Sequence, residues 1–241
     1  MPYNFKIICI IILLFQKAFK INNRNIKIFN FNENNKNIIN YFNSLKKVVY
    51  TILLGNYDDI HPINKEKGYD YFMITDQNFE NKTNINWTII YVDKKTKFRN
   101  EREIIKKQRF YKTHPHLFFK NYDLSLYIDA TYEIKGKLDD FLLRILTPNS
   151  NIYLLEHPIR NSINNELDVV LKTKRDSARI ISPIKKRYKR EKFPDNNGLA
   201  ETCLIVRKHN EYNCKNFMEN WFKEIKSNSH RDQLYIFFGL I

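Results

Sequence analysis

Val48-Val49-Tyr50-Thr51-Ile52-Leu53-Leu54-Gly55 is an uninterrupted β-prone run closed by a glycine. It lacks the polar alternation of a half-exposed strand. That is the pattern of a strand covered on both faces, as in a parallel sheet. Working outward, residues 71–75 and 87–92 form two more such runs. Leu124-Ser125-Leu126-Tyr127-Ile128 is a further buried run that ends in Asp129. Residues 152–155 run into Glu156-His157-Pro158, and 199–206 are again strand-like. Between them lie segments with helical patterns. The basic stretch 99–119 is helical at least over 101–113, and 163–173, 180–190 (interrupted by Pro183), 214–227 and 232–240 suit helices. Strands alternating with helices predict an α/β domain with a mostly parallel sheet over 47–241. Residues 1–46 read as a hydrophobic, then Asn-rich lead-in, irregular over 20–44 with one helix near 37–45.

Composition narrows the class. The chain has 241 residues, enough for one large domain. Apolar residues make up 43% and aromatics 15%, which supports a core and argues against disorder throughout. Five glycines and seven prolines exclude collagen-like and Pro-rich scaffolds. The formal charge of +15 favours polyanions: nucleic acid, an anionic surface or phosphorylated substrates. Abundant Asn, Ile and Lys share AT-rich codons, so part of that charge reflects base composition rather than function. Three widely spaced cysteines, Cys9, Cys203 and Cys214, make no disulfide framework or zinc knuckle and read as small buried hydrophobes. The apolar segment 7–15 is flanked by Lys6 and Lys17. It is too short to span a bilayer. It fits either a secretory signal or membrane association, or else a segment packed on the domain. Asn81-Lys82-Thr83 and Asn86-Trp87-Thr88 match the glycosylation acceptor, as expected by chance in so Asn-rich a chain.

In open parallel sheets ligands gather at the carboxyl ends of strands, near a switch in strand order. The polar residues there are Asn56-Tyr57-Asp58, Thr75-Asp76, Asp129-Ala130-Thr131, His157-Pro158 and, across a loop, Asn196-Asn197-Gly198. A carboxylate directly after a buried run is costly unless paired, exposed or bound to a cation. Asp129 is therefore either a structural cap or a ligand for a hard divalent cation carrying a diphosphate. It is expected in a cleft shared with Asp76 or Asp123. Arg102, Lys106, Arg109 and Lys112 recur at three- and four-residue steps, so they share a helix face. That face is either solvated or a phosphate cradle. Gly198 permits close backbone approach and Asn197 tolerates left-handed geometry. Arg231-Asp232-Gln233 precedes an apolar stretch, where Asp232 serves at least as an N-cap. No P-loop, Rossmann glycine or Gly-x-Ser-x-Gly fingerprint is present. Asp129 with Glu133-x-Lys135 has the residue types of some nuclease cores. The short gap would put all three on one segment, against that reading.

These pieces, in this order, resemble a glycosyltransferase-like family first catalogued as a domain of unknown function. Its members include plant membrane-anchored proteins linked to cell-wall and mucilage polysaccharide, and bacterial proteins of capsular-polysaccharide loci. The matching stretches include Gly55-Asn56-Tyr57-Asp58, Arg109-Phe110-Tyr111-Lys112 with Pro115-His116, and Tyr127-Ile128-Asp129-Ala130. They continue through His157-Pro158, Arg160-Asn161, Glu166, Asn196-Asn197-Gly198-Leu199-Ala200-Glu201 and Arg231-Asp232-Gln233-Leu234. The resemblance implies a GT-A-like nucleotide-sugar fold and a sugar transfer from a nucleoside-diphosphate donor to a glycan or protein acceptor. On that analogy Arg109, Lys112, His116, Asp76, Asn197, Gly198 and Gln233 bind the donor. Asp129 stands at the Asp-x-Asp position for manganese or magnesium, and Asp232 and Glu201 are the catalytic carboxylates. The second acid of Asp-x-Asp is missing, since Asp129 is followed by Ala130 and Thr131. The competing reading is a degenerate, non-catalytic basic module. It would bind nucleic acid or an anionic surface through 185–190 and the 99–112 helix.

Overall fold

The computed structural model describes residues 9–12, 18–22, 25–29, 36–55, 60–79, 85–92, 98, 100–146, 150–195 and 198–238. The chain runs β1 (Cys9–Ile12), β2 (Ala18–Asn22), β3 (Asn25–Phe29), α1 (Lys36–Ser44), β4 (Lys47–Leu53), β5 (Tyr69–Thr75), β6 (Thr88–Tyr91) and α2 (Glu101–Thr113). It continues through α3 (Pro115–Phe118), β7 (Leu124–Ile128), β8 (Tyr132–Lys135), α4 (Leu138–Ile145), β9 (Ile152–Glu156), α5 (Ile163–Lys172) and α6 (Ala178–Arg190). It closes with β10 (Ala200–Arg207), α7 (Tyr212–Ser227) and a single 3-10 turn, Asp232–Tyr235.

The main sheet has the order β3-β2-β9-β10-β7-β4-β5-β6. β7, β4, β5 and β6 pair in parallel, and β10 runs antiparallel to both β7 and β9. Five strands of the central six therefore share one direction, as the buried runs predict. Every residue of β4 is buried, and the strand's period of two sorts its side chains between two cores. Val48, Tyr50 and Ile52 face a layer built by α5, α6, α7 and the C-terminal turn. Val49 faces α1 and α4, against Phe42, Phe141 and Leu142. Chain order reverses between β4 and β7, so a crevice opens at their carboxyl ends.

Four local expectations change. The stretch read as irregular over 20–44 holds β2 and β3, which extend the sheet beyond β9. The backbone donors and acceptors of an open strand edge decide that pairing, and side-chain pattern does not reveal it. Pro183 does not interrupt α6: it lies on the exposed face, where water can take the carbonyl that its ring leaves unpaired. Of the helix expected over 232–240, the described residues, to 238, hold a four-residue 3-10 turn. Trp221 Nε1 donates to the Asp232 carbonyl at 2.8 Å and the Tyr188 hydroxyl to the Leu234 carbonyl at 2.7 Å. Those are carbonyls an α-helix would have used itself. β8 and α4 are additional elements. The 7–15 segment is described only over β1, which pairs in parallel with β8. Among the described residues no helix is long and apolar enough to cross a membrane. Cys203 and Cys214 are buried and free. Asn86 donates its amide to the Ile63 carbonyl at 3.1 Å, and Asn81 lies outside the described residues.

Candidate active site

α2 is held at its start by Asn100, whose side chain accepts from the Glu103 amide. The Tyr50 hydroxyl fastens its end to β4 by donating to the Lys112 carbonyl at 2.9 Å. The basic stripe then divides into two pairs with different jobs. Arg102 donates to the Asn228 carbonyl at 2.8 Å and Lys106 to the Lys226 carbonyl at 2.5 Å, so both cap the C-terminal end of α7. One turn on, Arg109 Nε lies 3.3 Å from Asp232 Oδ2, and Lys112 Nζ lies 2.7 Å from the same oxygen. The Lys112 side chain is 1% exposed and also reaches Asp129 Oδ1 at 3.7 Å. The stripe thus passes from partly exposed caps on α7 at Arg102 and Lys106 to a buried ion-paired end at Lys112.

Asp129 follows β7 directly. Its amide donates to the Cys203 carbonyl at 2.9 Å, and the Tyr127 hydroxyl donates to its Oδ1 at 2.5 Å. On the neighbouring strand, Glu201 is the second residue of β10. Gln233 Nε2 lies 3.3 Å from both Glu201 Oε1 and the Ala200 carbonyl, tying the C-terminal turn to the strand. Because Lys112 touches both Asp129 and Asp232, and Gln233 touches Glu201, the three carboxylates gather in one cluster. Glu201 Oε2 also faces His157 Nε2 at 3.8 Å. His157 accepts backbone N–H groups from Ile159 and Arg160 at Nδ1. Arg160 joins it to the fully buried Glu166 through a 2.6 Å ion pair, and Arg231 approaches Glu166 from the turn.

The electrostatics separate these groups. Burial alone would raise the Asp232 carboxyl, but Arg109, Lys112 and Arg231 outweigh it and hold the group well below the usual carboxylate range. Glu201 goes the other way: burial, then the Asp129 charge, push its carboxyl up, with Lys112 opposing. Burial and the Arg160 guanidinium push the His157 imidazole down to about 4, so it is neutral at ordinary pH.

The remaining predicted residues sit elsewhere. Asp76 follows β5 on the same sheet edge and accepts the Gly55 amide at 3.1 Å, closing the end of β4. It stands two strands from Asp129, or about 10 Å across the sheet. Asp123, in contrast, lies at the amino end of β7 and accepts the Lys46 amide, so it shares no crevice with Asp129. His116 is not in the cluster: with His114 it straddles Glu219 of α7, each at 3.2 Å. Gly198 has φ 84°, a left-handed value that favours glycine, and donates to the Asn161 carbonyl at 2.9 Å. Asn197 lies outside the described residues. Tyr127, His157, Arg160 and Glu166 were not among the residues assigned roles. The position of His157 after a strand is the signal that could have placed it. Two surface grooves, one along α6 and one between α6 and α7, are lined by none of the clustered residues. Among the described residues no three His, Cys, Asp or Glu side chains gather as a metal site would need.

Residues 18–240 match the family described as TOD1/MUCI70, glycosyltransferase-like domain. No curated protein matches the chain. One similar solved structure is an apo WbbM bifunctional glycosyltransferase, at 13% identity and a TM-score of 0.45. The likeness covers 81% of this chain and 38% of that one, so this chain matches well under half of that protein's length.

Proposed function

The chain belongs to the TOD1/MUCI70 glycosyltransferase-like family, and from that premise we propose that it moves a sugar from a nucleoside-diphosphate donor to a glycan or protein acceptor. The reaction site in this reading is the GT-A-like crevice at the carboxyl edge of the sheet. The observation that carries the reading is the continuous polar chain from His157 through Glu201, Gln233, Asp232 and Lys112 to Asp129. It is assembled from β7, β9, β10, α2 and the C-terminal turn at the edge where such sheets bind ligands.

In a direct displacement, the acceptor oxygen bonds to the sugar's anomeric carbon as the bond to the diphosphate oxygen breaks. Glu201 takes the acceptor proton in this scheme. Its side chain is 25% exposed, and a raised carboxyl suits a general base. Asp232 is a positioning residue: buried and doubly paired, it keeps Arg109 and Lys112 in place. Lys112 has no open face toward a ligand, whereas Arg109, 15% exposed, has N–H groups besides the Nε that lies 3.3 Å from Asp232. Arg109 is therefore our candidate for the leaving diphosphate, where fixed positive charge lowers the barrier.

The test is a panel of nucleotide-sugars and nucleoside diphosphates read by melting temperature, followed by product analysis with the stabilising donor. Stabilisation by one diphosphate, reduced roughly tenfold or more in affinity by Arg109→Ala, supports the reading. No response to any member of the panel rejects it. The rival reading draws on one observation. Lys185, Lys186, Lys189 and Lys192 line a groove of about 530 Å³ along α6, beside Phe193. A polyanion-binding module would show affinity for nucleic acid falling steeply with salt.

A further inference from the structure

Asp129 stands where a metal ligand is expected, and its surroundings suit a different cation. Ala130 and Thr131 follow it, so the segment offers no second acid. Its Oδ1 already accepts from Tyr127 and faces the Lys112 ammonium at 3.7 Å. That ammonium is buried, lies 2.7 Å from Asp232 Oδ2, and sits 4.8 Å above the Tyr127 ring. The Lys112 ammonium therefore already lies between the two carboxylates. Arg109 brings a second cation to within 3.3 Å of Asp232. A doubly charged ion at Asp129 would stand beside both cations in a partly desolvated site, where like charges repel strongly. Among the described residues, no further group of metal-type ligands is gathered to offset that repulsion.

We propose that Lys112 is the resident cation of this site. It takes the place of a divalent ion between Asp129 and Asp232, and the nucleoside-diphosphate site works without added metal. The first half stands on the charge cluster alone. The second half rests on the transferase reading. A tethered ammonium cannot be chelated or diluted away, so donor binding is indifferent to chelators. Asp129, with its side chain 33% exposed, is left to accept hydrogen bonds from a ligand rather than to bind an ion.

Two measurements on the full chain test this. In the first, manganese is titrated and followed by electron paramagnetic resonance. The wild type should show no saturable site tighter than about 1 mM that Asp129→Asn removes. Lys112→Met, which vacates the space between the carboxylates, should gain a manganese site that the added Asp129→Asn change removes again. A wild-type site lost in Asp129→Asn overturns the proposal, and so does a folded Lys112→Met protein that gains none. If Lys112→Met does not fold, the comparison of wild type with Asp129→Asn decides. In the second, uridine and guanosine diphosphate affinities are measured by calorimetry in chelator and in excess manganese. They should agree within roughly twofold. A gain of about tenfold or more with manganese that Asp129→Asn abolishes overturns metal independence while upholding the transferase. Binding of neither diphosphate counts against the transferase reading, and the manganese titration then decides the role of Lys112 alone.

Discussion

Glu201 and Asp232 are joined through Gln233, yet their surroundings drive them in opposite directions. Burial and then the Asp129 charge push Glu201 up, whereas Asp232 has two cations within 3.3 Å. For a base that must be ionised, activity climbs with pH through an elevated carboxyl pKa. The acid limb of kcat/KM should therefore lie above the ordinary glutamate value of about 4.3. Glu201→Gln should cost about 10²–10⁴-fold in turnover while nucleotide affinity stays near that of the wild type. Rate and calorimetric assays on the two proteins check this, and retained turnover would remove Glu201 as the base. Asp232→Asn acts on stability instead, because it strands Arg109 and Lys112 in the interior. Breaking such a buried arrangement costs about 3–5 kcal/mol, readable from urea unfolding. The sign with pH follows. The folded carboxyl titrates below its unfolded value, so its stabilisation is complete above about pH 4–5 and is lost as pH falls. The Asn variant should lack that acid-dependent component.

At the scale of elements, the seam between α2 and α7 decides what the basic stripe is for. Arg102 and Lys106 spend their charge on the carbonyls that end α7. Replacing both with Ala should cost about 1–2 kcal/mol of stability, since each is a partly exposed bond to a helix end. Urea unfolding measures it, and an unchanged midpoint would return these residues to the solvated face that their spacing also permits. α7 is coupled to the site at its other contact as well. Trp221 is fully buried and donates to the Asp232 carbonyl. Trp221→Phe keeps most of the apolar volume but leaves that carbonyl unpaired, an expected loss of about 1–3 kcal/mol. Nucleotide affinity in the same variant reports whether the turn still presents Asp232 and Gln233 correctly.

For the whole molecule, the buried histidines set the pH range in which the fold is secure. His157 and His209 are each pushed down to about 4, chiefly by burial. The unfolded chain takes up these protons near pH 6.5, and the folded chain resists until about pH 4. Stability therefore falls as pH drops through that window and levels below it, apart from the Asp232 contribution. Unfolding free energies at closely spaced pH values check the slope. A flat profile between pH 6.5 and 4 would show that these rings titrate normally in the folded protein.

What could be read in advance followed from local periodicity. Val48–Gly55 and Leu124–Asp129 announce strands buried on both faces, and α2 begins and ends where its pattern does. Asp129 and Asp232 stood out because each borders an apolar run, where a carboxylate needs a reason, whereas Glu201 came from the family resemblance. Their partners were not legible. Lys112 looks like one member of a solvated stripe until α2 is laid against the C-terminal turn, and Asp123 looks equivalent to Asp76 until strand direction puts it at the other edge. His116, which the resemblance put among the donor ligands, faces Glu219. The chain by itself determined which segments are strands and helices, because hydrophobic alternation and capping are properties of neighbours in sequence. Only the tertiary structure decided which charges neutralise one another, because those contacts join residues 17 and 120 positions apart (Lys112 to Asp129 and to Asp232). Distance and burial, which nothing in a linear pattern encodes, determine whether such a charge is a ligand, a counter-ion or a helix cap.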